Sequence, residues 1–260
     1  MLKNLRYLLA VTTVCALSAC ANQVTVVDDS STAVKATQKS QDVQLPIGTS
    51  VSAATLKCKS GDSFLCMELV GHHLRNRNYP MMLEASQTAC DQGVHSGCMV
   101  AGALLRTGES GVPQNSAEAL TTYMKSCSLL GSRSVIGPNE AAVACRIVGE
   151  MHFSGELTKI DNDLAFNAFE KSCNGGDTNG CYNLGYSFRV GIGTGINKEM
   201  AFGLFKDACE NGHSRGCIKI SLMYKYGETV PADETVAAYY WKRGCDLRNP
   251  NDKKLTSICR

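Results

Sequence analysis

Paired cysteines that recur at a fixed period constrain this chain more than any other feature. The sequence has 14 cysteines, and 12 of them form six consecutive pairs from Cys58 onward. The pairs are Cys58–Cys66, Cys90–Cys98, Cys127–Cys145, Cys173–Cys181, Cys209–Cys217 and Cys245–Cys259. Four pairs share a spacing of eight residues, and Cys145, Cys181 and Cys217 follow one another at intervals of 36. A period of this length is typical of an array of structural repeats.

Other residues recur at fixed distances from these cysteines and predict a pair of helices, A and B, in each repeat. A glycine ten residues after the second cysteine is predicted to end helix A, and an Asn or Asp is predicted to cap the start of helix B. Helix B then presents Ala and an aromatic residue on one face, while a small residue in helix A admits a neighbouring backbone. The positions are Gly108, Gly155, Gly191 and Gly227 (glycine), Asn115, Asp161, Asn197 and Asp233 (cap), Ala119, Ala165, Ala201 and Ala237 (alanine), Tyr123, Phe169, Phe205 and Trp241 (aromatic), and Gly102, Gly149, Gly185 and Ser221 (small).

The spacing of the paired cysteines predicts disulfides across turns. Residues eight apart in one helix are separated by about 12 Å, whereas a disulfide needs Cα atoms within about 7 Å. The chain must therefore turn between them, so that each bridge ties a helix B to the next helix A. Glycines between the cysteines are predicted to permit these turns: Gly93, Gly97, Gly175, Gly176, Gly180, Gly212 and Gly216.

The first 55 residues predict export and attachment to a membrane. Lys3 and Arg6 precede an apolar run too short to span a bilayer, which predicts a signal peptide at residues 1–19. The run ends in Leu-Ser-Ala-Cys20, which resembles a bacterial lipobox and implies lipidation of Cys20; a plain secretory site with an incidental cysteine is the alternative. Ala21 then favours the outer membrane, facing the periplasm. Residues 20–55 are predicted to be a flexible tether, and residues 56–260 the repeat array.

The repeat beginning at Cys181 resembles the Sel1-like repeat, a relative of the tetratricopeptide repeat, in residues 181–186, Gly191, residues 197–202 and residues 208–212. That family carries Ala where this chain has its paired cysteines, so the chain is similar to the secreted cysteine-rich Sel1-like proteins, a group also labelled β-lactamase-like. The resemblance covers residues 56–260 and implies an all-α, α/α solenoid in a right-handed superhelix that binds proteins or peptides. Its first unit, with Met82 and Ser86 at the alanine and aromatic positions, and a final helix near Lys253 are predicted to be terminal caps.

Motifs for catalysis and cofactor binding are absent from the sequence. There is no Ser-x-x-Lys, Ser-Asp-Asn or Lys-Thr-Gly, so a penicillin-binding protein with weak β-lactamase activity rests on the family label alone. Thiol–disulfide catalysis would need a Cys-x-x-Cys motif, and the sequence contains none. The five histidines form no metal motif, and His95 and His213 are predicted on the solvent side of their turns. We therefore expect no metal and no cofactor, and a binding protein rather than an enzyme, with a β-lactamase-type hydrolase as the alternative.

Charge and periodicity indicate the kind of partner. Without residues 1–19, basic and acidic residues balance, which argues against nucleic acid. Positions one, five and eight after each leading cysteine form a stripe at helical spacing on helix A. The stripe comprises Met99, Ala103, Arg106, Arg146, Glu150, Phe153, Tyr182, Tyr186, Arg189, Ile218, Leu222 and Lys225. Its Met, Arg, Phe and Tyr residues predict a binding face for an exported protein, a peptide or a cell-wall component, or for host molecules at the cell surface. The alternative is that the stripe packs against the neighbouring repeat.

Overall fold

The computed structural model describes residue 45 and residues 49–131, 138–156 and 160–259, in which every regular element is an α-helix. The all-α class expected from the sequence is therefore confirmed. The helices are α1 (Val51–Lys59), α2 (Ser63–Arg75), α3 (Tyr79–Asp91), α4 (His95–Thr107), α5 (Ser116–Ser128), α6 (Pro138–Ser154), α7 (Asn162–Asn174), α8 (Thr178–Val190), α9 (Lys198–Glu210), α10 (Ser214–Tyr226), α11 (Glu234–Asp246) and α12 (Lys253–Ile258).

The beginning of the array differs from the sequence expectation. The signal peptide (residues 1–19), the lipid anchor at Cys20 and residues 20–44 of the tether lie outside the described residues. α1 begins at Val51, inside the segment predicted as tether, and the Ser50 hydroxyl caps it by accepting a hydrogen bond from the Ala53 N–H at 3.2 Å. Only Ala54 and Cys58 of α1 are buried, so the helix carries almost no apolar period in its sequence. Within the described part of the chain, no helix is both long and apolar enough to cross a membrane.

The helices divide into two units, Met1–Glu140 and Ala141–Arg260. In the first unit each helix from α1 to α4 packs against the next helix in the chain, and in the second unit each helix from α7 to α10 does so. The core of the first unit includes Leu69, Met82 and Leu104, and that of the second includes Phe205 and Ile220, all almost completely buried. Contacts between successive helices are what a hairpin repeat requires, because one hairpin cannot cover its own apolar face.

Five of the six predicted disulfides have the predicted pairing. The Cα–Cα distances are 4.8 Å (Cys58–Cys66), 4.5 Å (Cys90–Cys98), 4.3 Å (Cys173–Cys181), 4.6 Å (Cys209–Cys217) and 5.5 Å (Cys245–Cys259). Each of the four eight-residue bridges joins one helix to the next. Cys127 and Cys145 are also disulfide-bonded, and their pairing with each other stays a prediction.

The glycines between paired cysteines serve two purposes. Gly93, with φ of 84°, makes its turn in the left-handed region, as do the corresponding Gly176 and Gly212. Gly97 is instead helical, and a Cβ on it would lie only 2.8 Å from both the Cys90 nitrogen and the Ser86 carbonyl oxygen. The expectation that Gly97 serves the turn is therefore wrong. The disulfide draws α3 and α4 so close together that no side chain fits there.

The predicted ends of the helices are confirmed. The side chains of Asn115, Asp161, Asn197 and Asp233 each accept a hydrogen bond from the backbone N–H three residues ahead. The residues after α4, α8 and α10 are Gly108, Gly191 and Gly227, all with positive φ. These signals act within a few residues of themselves, so the sequence is enough to place them.

The small residue in the middle of helix A accommodates a ring from helix B. A Cβ on Gly102 would lie 2.7 Å from the ring of Tyr123, and one on Gly149 would lie 2.5 Å from the ring of Phe169. The expectation of a neighbouring backbone at this position is wrong for Gly102, whereas at Gly149 the added Cβ would also lie 3.1 Å from the Ala165 carbonyl oxygen. The aromatic residue and the glycine therefore belong to one packing unit within the hairpin.

Both ends of the array depart from the standard repeat. In the first hairpin Asn76 stands where later repeats have the glycine, and the positive φ, 53°, falls on Arg77 one residue later. Met82 and Ser86 are completely buried. At the other end, Leu255 of α12 is buried against Ile218, and Cys245–Cys259 holds this short helix in place. These contacts agree with terminal caps.

Candidate functional site

The predicted stripe is only partly exposed. Met99, Arg146 and Ile218 are buried, and Phe153 is 40% exposed. Lys225 is also exposed, and the remaining positions are half-buried: Ala103, Arg106, Glu150, Tyr182, Tyr186, Arg189 and Leu222. In the second unit, several of these side chains contact the following hairpin. Part of the stripe therefore packs against the neighbouring repeat, and part keeps surface that could form a binding face.

Stripe residues directly after a leading cysteine hold the start of the next helix A. Arg146 binds Asp177, the N-cap of α8, and Tyr182 stacks on His213, the N-cap of α10. These caps were not predicted to contact the stripe. A signal was present, because Asp62, Asp177 and His213 all stand four residues before the second cysteine of a pair.

Arg146 is the centre of a buried ionic cluster. Its Nε donates to Asp177 Oδ2 at 2.8 Å and its Nη1 donates to Glu150 Oε1 at 2.6 Å. The Ser172 hydroxyl also donates to Asp177 Oδ2, at 3.2 Å. Burial by itself would lower the pKa of Arg146, but the carboxylates of Glu150 and Asp177 raise it above its usual value. Arg146 is therefore committed to structure and is not free to anchor a partner.

Tyr182 joins two hairpins through aromatic contacts. Its ring centroid lies 5.5 Å from that of Phe205 and 4.5 Å from that of His213. His213 Nδ1 accepts a hydrogen bond from the Gly216 N–H at 3.0 Å, so this nitrogen is unprotonated. Burial, followed by the charge of Arg215, lowers the pKa of His213 to about 4.

The acid response of the protein is expected to depend on His213. Between pH of about 6.5 and 4 an unfolded histidine binds a proton that the folded His213 excludes, so stability falls as pH falls through this window. His213→Asn keeps a side chain that can cap α10 but cannot titrate. In this variant the free energy of unfolding is expected to change less with pH, by up to about 1.4 kcal/mol per pH unit. Urea unfolding of both proteins at several pH values measures the difference. The same pH dependence of the free energy of unfolding in both proteins would contradict this role of His213.

The other two stripe residues of α8 make a cation–π contact and an ion pair with the following hairpin. Lys219 Nζ lies 5.9 Å from the centroid of the Tyr186 ring, and Arg189 Nη2 donates to Glu228 Oε2 at 3.1 Å. Glu228 also pairs with Lys198 at 3.2 Å. We call Tyr182, Tyr186, Arg189 and Lys219 the aromatic–cationic face. All four residues are half-buried, so they keep surface available to a partner.

A match to a family model identifies the family. The model of the Sel1 repeat matches residues 96–121, 142–177, 178–213 and 214–249, which is more than half of the chain. The chain belongs to the Sel1 repeat family. The boundaries of its Sel1 repeats place Asp177 and His213 at the last position of their repeats, so the contacts of Arg146 and Tyr182 with these caps help to order the start of each following repeat.

The chain is also similar to curated proteins and to solved structures. Cytochrome c oxidase assembly factor 7 of Xenopus tropicalis is 30% identical over 143 residues, covering 53% of this chain and 58% of that protein. The chain thus spans little more than half of that relative. The Sel1 repeat protein of Oxalobacter formigenes has a TM-score of 0.59 at 19% identity, covering 67% of this chain and 68% of its own. Helicobacter pylori cysteine rich protein B is 24% identical, with a TM-score of 0.39, covering 52% of this chain and 89% of its own.

His95 and His213 of this chain do not lie on the solvent side of their turns, where the sequence predicted them. His95 is only 3% exposed and its Nδ1 lies 3.2 Å from the Ser126 hydroxyl, while His213 is half-buried under Tyr182. The expectation of solvent-facing histidines is therefore wrong, because closely joined hairpins cover these turns. A His–Ser pair can activate a nucleophile only if substrate reaches it, and Ser126 is completely buried. Among the described residues, no three His, Cys, Asp or Glu side chains are grouped as metal ligands.

Proposed function

We propose that this chain is a non-catalytic binding scaffold of the bacterial cell envelope, held by a lipid on Cys20. Its partner would be another exported protein, a peptide or a cell-wall component. The observation that carries the proposal is the aromatic–cationic face, where Tyr186, Arg189 and Lys219 keep exposed surface beside a rigid array. Tyr and Arg side chains are the residues that most often dominate the energy of binding at protein interfaces.

The family and the relatives support this role. Sel1 repeats form scaffolds whose fold suits protein binding. The assembly factors that match part of this chain are named for helping to build cytochrome c oxidase, and a comparable helper role here would consist of holding another protein. The oxidase itself is not part of the proposal, because the match covers only part of each protein.

The proposed location follows from the sequence of the first 20 residues together with the disulfides. Structural disulfides persist in oxidising compartments such as the periplasm, and Ala21 favours sorting to the outer membrane. Labelling cells with a radioactive fatty acid should mark the wild-type chain and not Cys20→Ser. Protease treatment of intact cells should leave the array intact if it faces the periplasm, and degrade it if it is displayed at the surface.

The binding role is tested by crosslinking in living cells. A photoreactive amino acid in place of Tyr186 is expected to crosslink one or a few envelope components, whereas the same group in place of Tyr239 is the control. Tyr239 is 58% exposed and lies on α11, outside the aromatic–cationic face. Equal products from both positions, or none from position 186, would refute the proposed face. Nitrocefin hydrolysis by the purified chain above a boiled control would refute the non-catalytic assignment and favour the penicillin-binding alternative.

A further inference from the structure

The aromatic–cationic face lies in a part of the chain with more positive than negative charge. Between residues 178 and 259 basic residues outnumber acidic ones. Near this face, Glu228 is shared by Arg189 and Lys198, and Asp252 is engaged by Arg215 at 2.6 Å. Glu228 and Asp252 are therefore already in ion pairs with other side chains, and neither forms an ion pair with Lys219.

Lys219 is a half-buried cation of this face without an ion pair within the residues that the structure describes. None of the ion pairs in the described part of the chain includes it, and its polar contact is the ring of Tyr186. Burial lowers the pKa of Lys219, and the charges of Arg189 and Lys254 lower it further, against the opposing effect of Glu228. An anion placed beside Lys219 would relieve this repulsion.

Arg189 offers a second unused donor at the same place. Its Nη2 binds Glu228, but its Nε is buried and has no hydrogen-bond acceptor among the described residues. The Arg189 side chain as a whole is 32% exposed, so its guanidinium is reached from outside although Nε is not. A carboxylate that contacted the exposed part of Arg189 and Lys219 together would balance the charge of Lys219.

We propose that the aromatic–cationic face binds an extended acidic segment of a partner protein. A carboxylate of the segment lies between Lys219 and Arg189, and the neighbouring part of the segment contacts the rings of Tyr182 and Tyr186. This inference rests on the proposed function, and it names the chemistry of the partner at that site. Charge complementarity of this kind mainly sets specificity and the rate of association.

A nucleic acid fits this face less well than an acidic protein segment. In residues 141–177 acidic side chains outnumber basic ones, and Glu150 of the neighbouring repeat is 38% exposed. Asn183 of α8 contacts this carboxylate at 3.4 Å, so the negative charge lies beside the aromatic–cationic face. A polyanion that continued past α8 would meet Glu150, whereas a short acidic segment would not.

The test measures binding of labelled peptides to the full-length chain in detergent by fluorescence anisotropy. An alternating Glu-Ser peptide is compared with its Gln-Ser counterpart and with single-stranded DNA. The Glu-Ser peptide is expected to bind at least about tenfold more tightly than the Gln-Ser peptide, and to weaken as salt rises from about 0.05 to 0.3 M. Equal binding of the two peptides, or tighter binding of the DNA, would overturn the inference.

Variants locate the binding on the face. Lys219→Gln is expected to weaken the Glu-Ser peptide about fivefold, and Lys254→Glu, at an exposed position, to weaken it by a similar factor without affecting the fold. Lys242→Gln is the matched control, because Lys242 is 80% exposed and pairs with Asp246 on its own helix. Unchanged affinity in both Lys219→Gln and Lys254→Glu would overturn the inference.

The crosslinking experiment separates this inference from the proposed function. If crosslinks from position 186 form and are lost in Lys219→Gln, both stand. If they form equally in Lys219→Gln and at high salt, the array binds a partner but the acidic segment is refuted. If no crosslinks form, the proposed function itself fails.

Discussion

Replacing Asp177 with alanine is expected to lower the free energy of unfolding of the second unit by about 3–5 kcal/mol, because it leaves a buried Arg146 with an incomplete counter-charge. Asp177 is 5% exposed and accepts hydrogen bonds from Arg146, Ser172 and the Asn179 N–H that begins α8. The change therefore removes an ion pair and a helix cap together. Urea unfolding followed by circular dichroism measures the loss.

Asp161→Ala is the matched control for this variant. Asp161 caps α7 through the Leu164 N–H at 2.9 Å, but the described structure gives it no ion pair. Its loss is expected to cost about 1 kcal/mol, the usual value of a cap alone. In the double variant Arg146→Met/Asp177→Ala much of the stability should return, because replacing both partners of a buried pair is far less costly than removing one. Similar losses for Asp161→Ala and Asp177→Ala would show that the ion pair adds nothing.

Gly97→Ala is expected to destabilise the first unit by about 1–3 kcal/mol, although alanine favours helices more than glycine does. The added Cβ would lie 2.7 Å from the Cβ of Ala89 and 2.8 Å from backbone atoms of Cys90 and Ser86. Backbone atoms clamped by the Cys90–Cys98 disulfide have little room to yield. Chemical denaturation of the oxidised protein measures the change.

Gly203→Ala provides the comparison for this effect. Gly203 lies in α9, and a Cβ there meets no atom within 4 Å. Its replacement should raise stability by up to about 1 kcal/mol through helix propensity alone. If Gly97→Ala were also stabilising, the close approach of α3 and α4 would be wrong.

The glycines show where local sequence patterns stop being informative. Gly93 and Gly97 both lie between paired cysteines, and no local pattern distinguishes their roles. Gly93 adopts a positive φ, whereas Gly97 is needed because of a neighbouring helix. The first property belongs to the residue and its turn, and the second exists only after two helices have come together.

The stripe on helix A shows the same limit for the candidate site. Its helical spacing was correct, but spacing cannot tell a free anchor from one held by the next repeat. Arg146 is buried against Asp177, whereas Tyr182, Tyr186 and Arg189 keep surface near Lys219. Lys219 was absent from the predicted stripe because it follows the leading cysteine by two positions rather than one.

The sequence by itself determined the helical repeats, their caps and the local disulfides, because each of these depends on residues a few positions apart. The tertiary structure alone decided which side chains of the stripe are available to a partner. Those contacts join residues about one repeat apart, as in Arg146 with Asp177 and Arg189 with Glu228. The surface that a stripe side chain keeps for a partner therefore depends on how neighbouring hairpins pack. The same residue type is buried where the next hairpin places a side chain against it, and exposed where it does not.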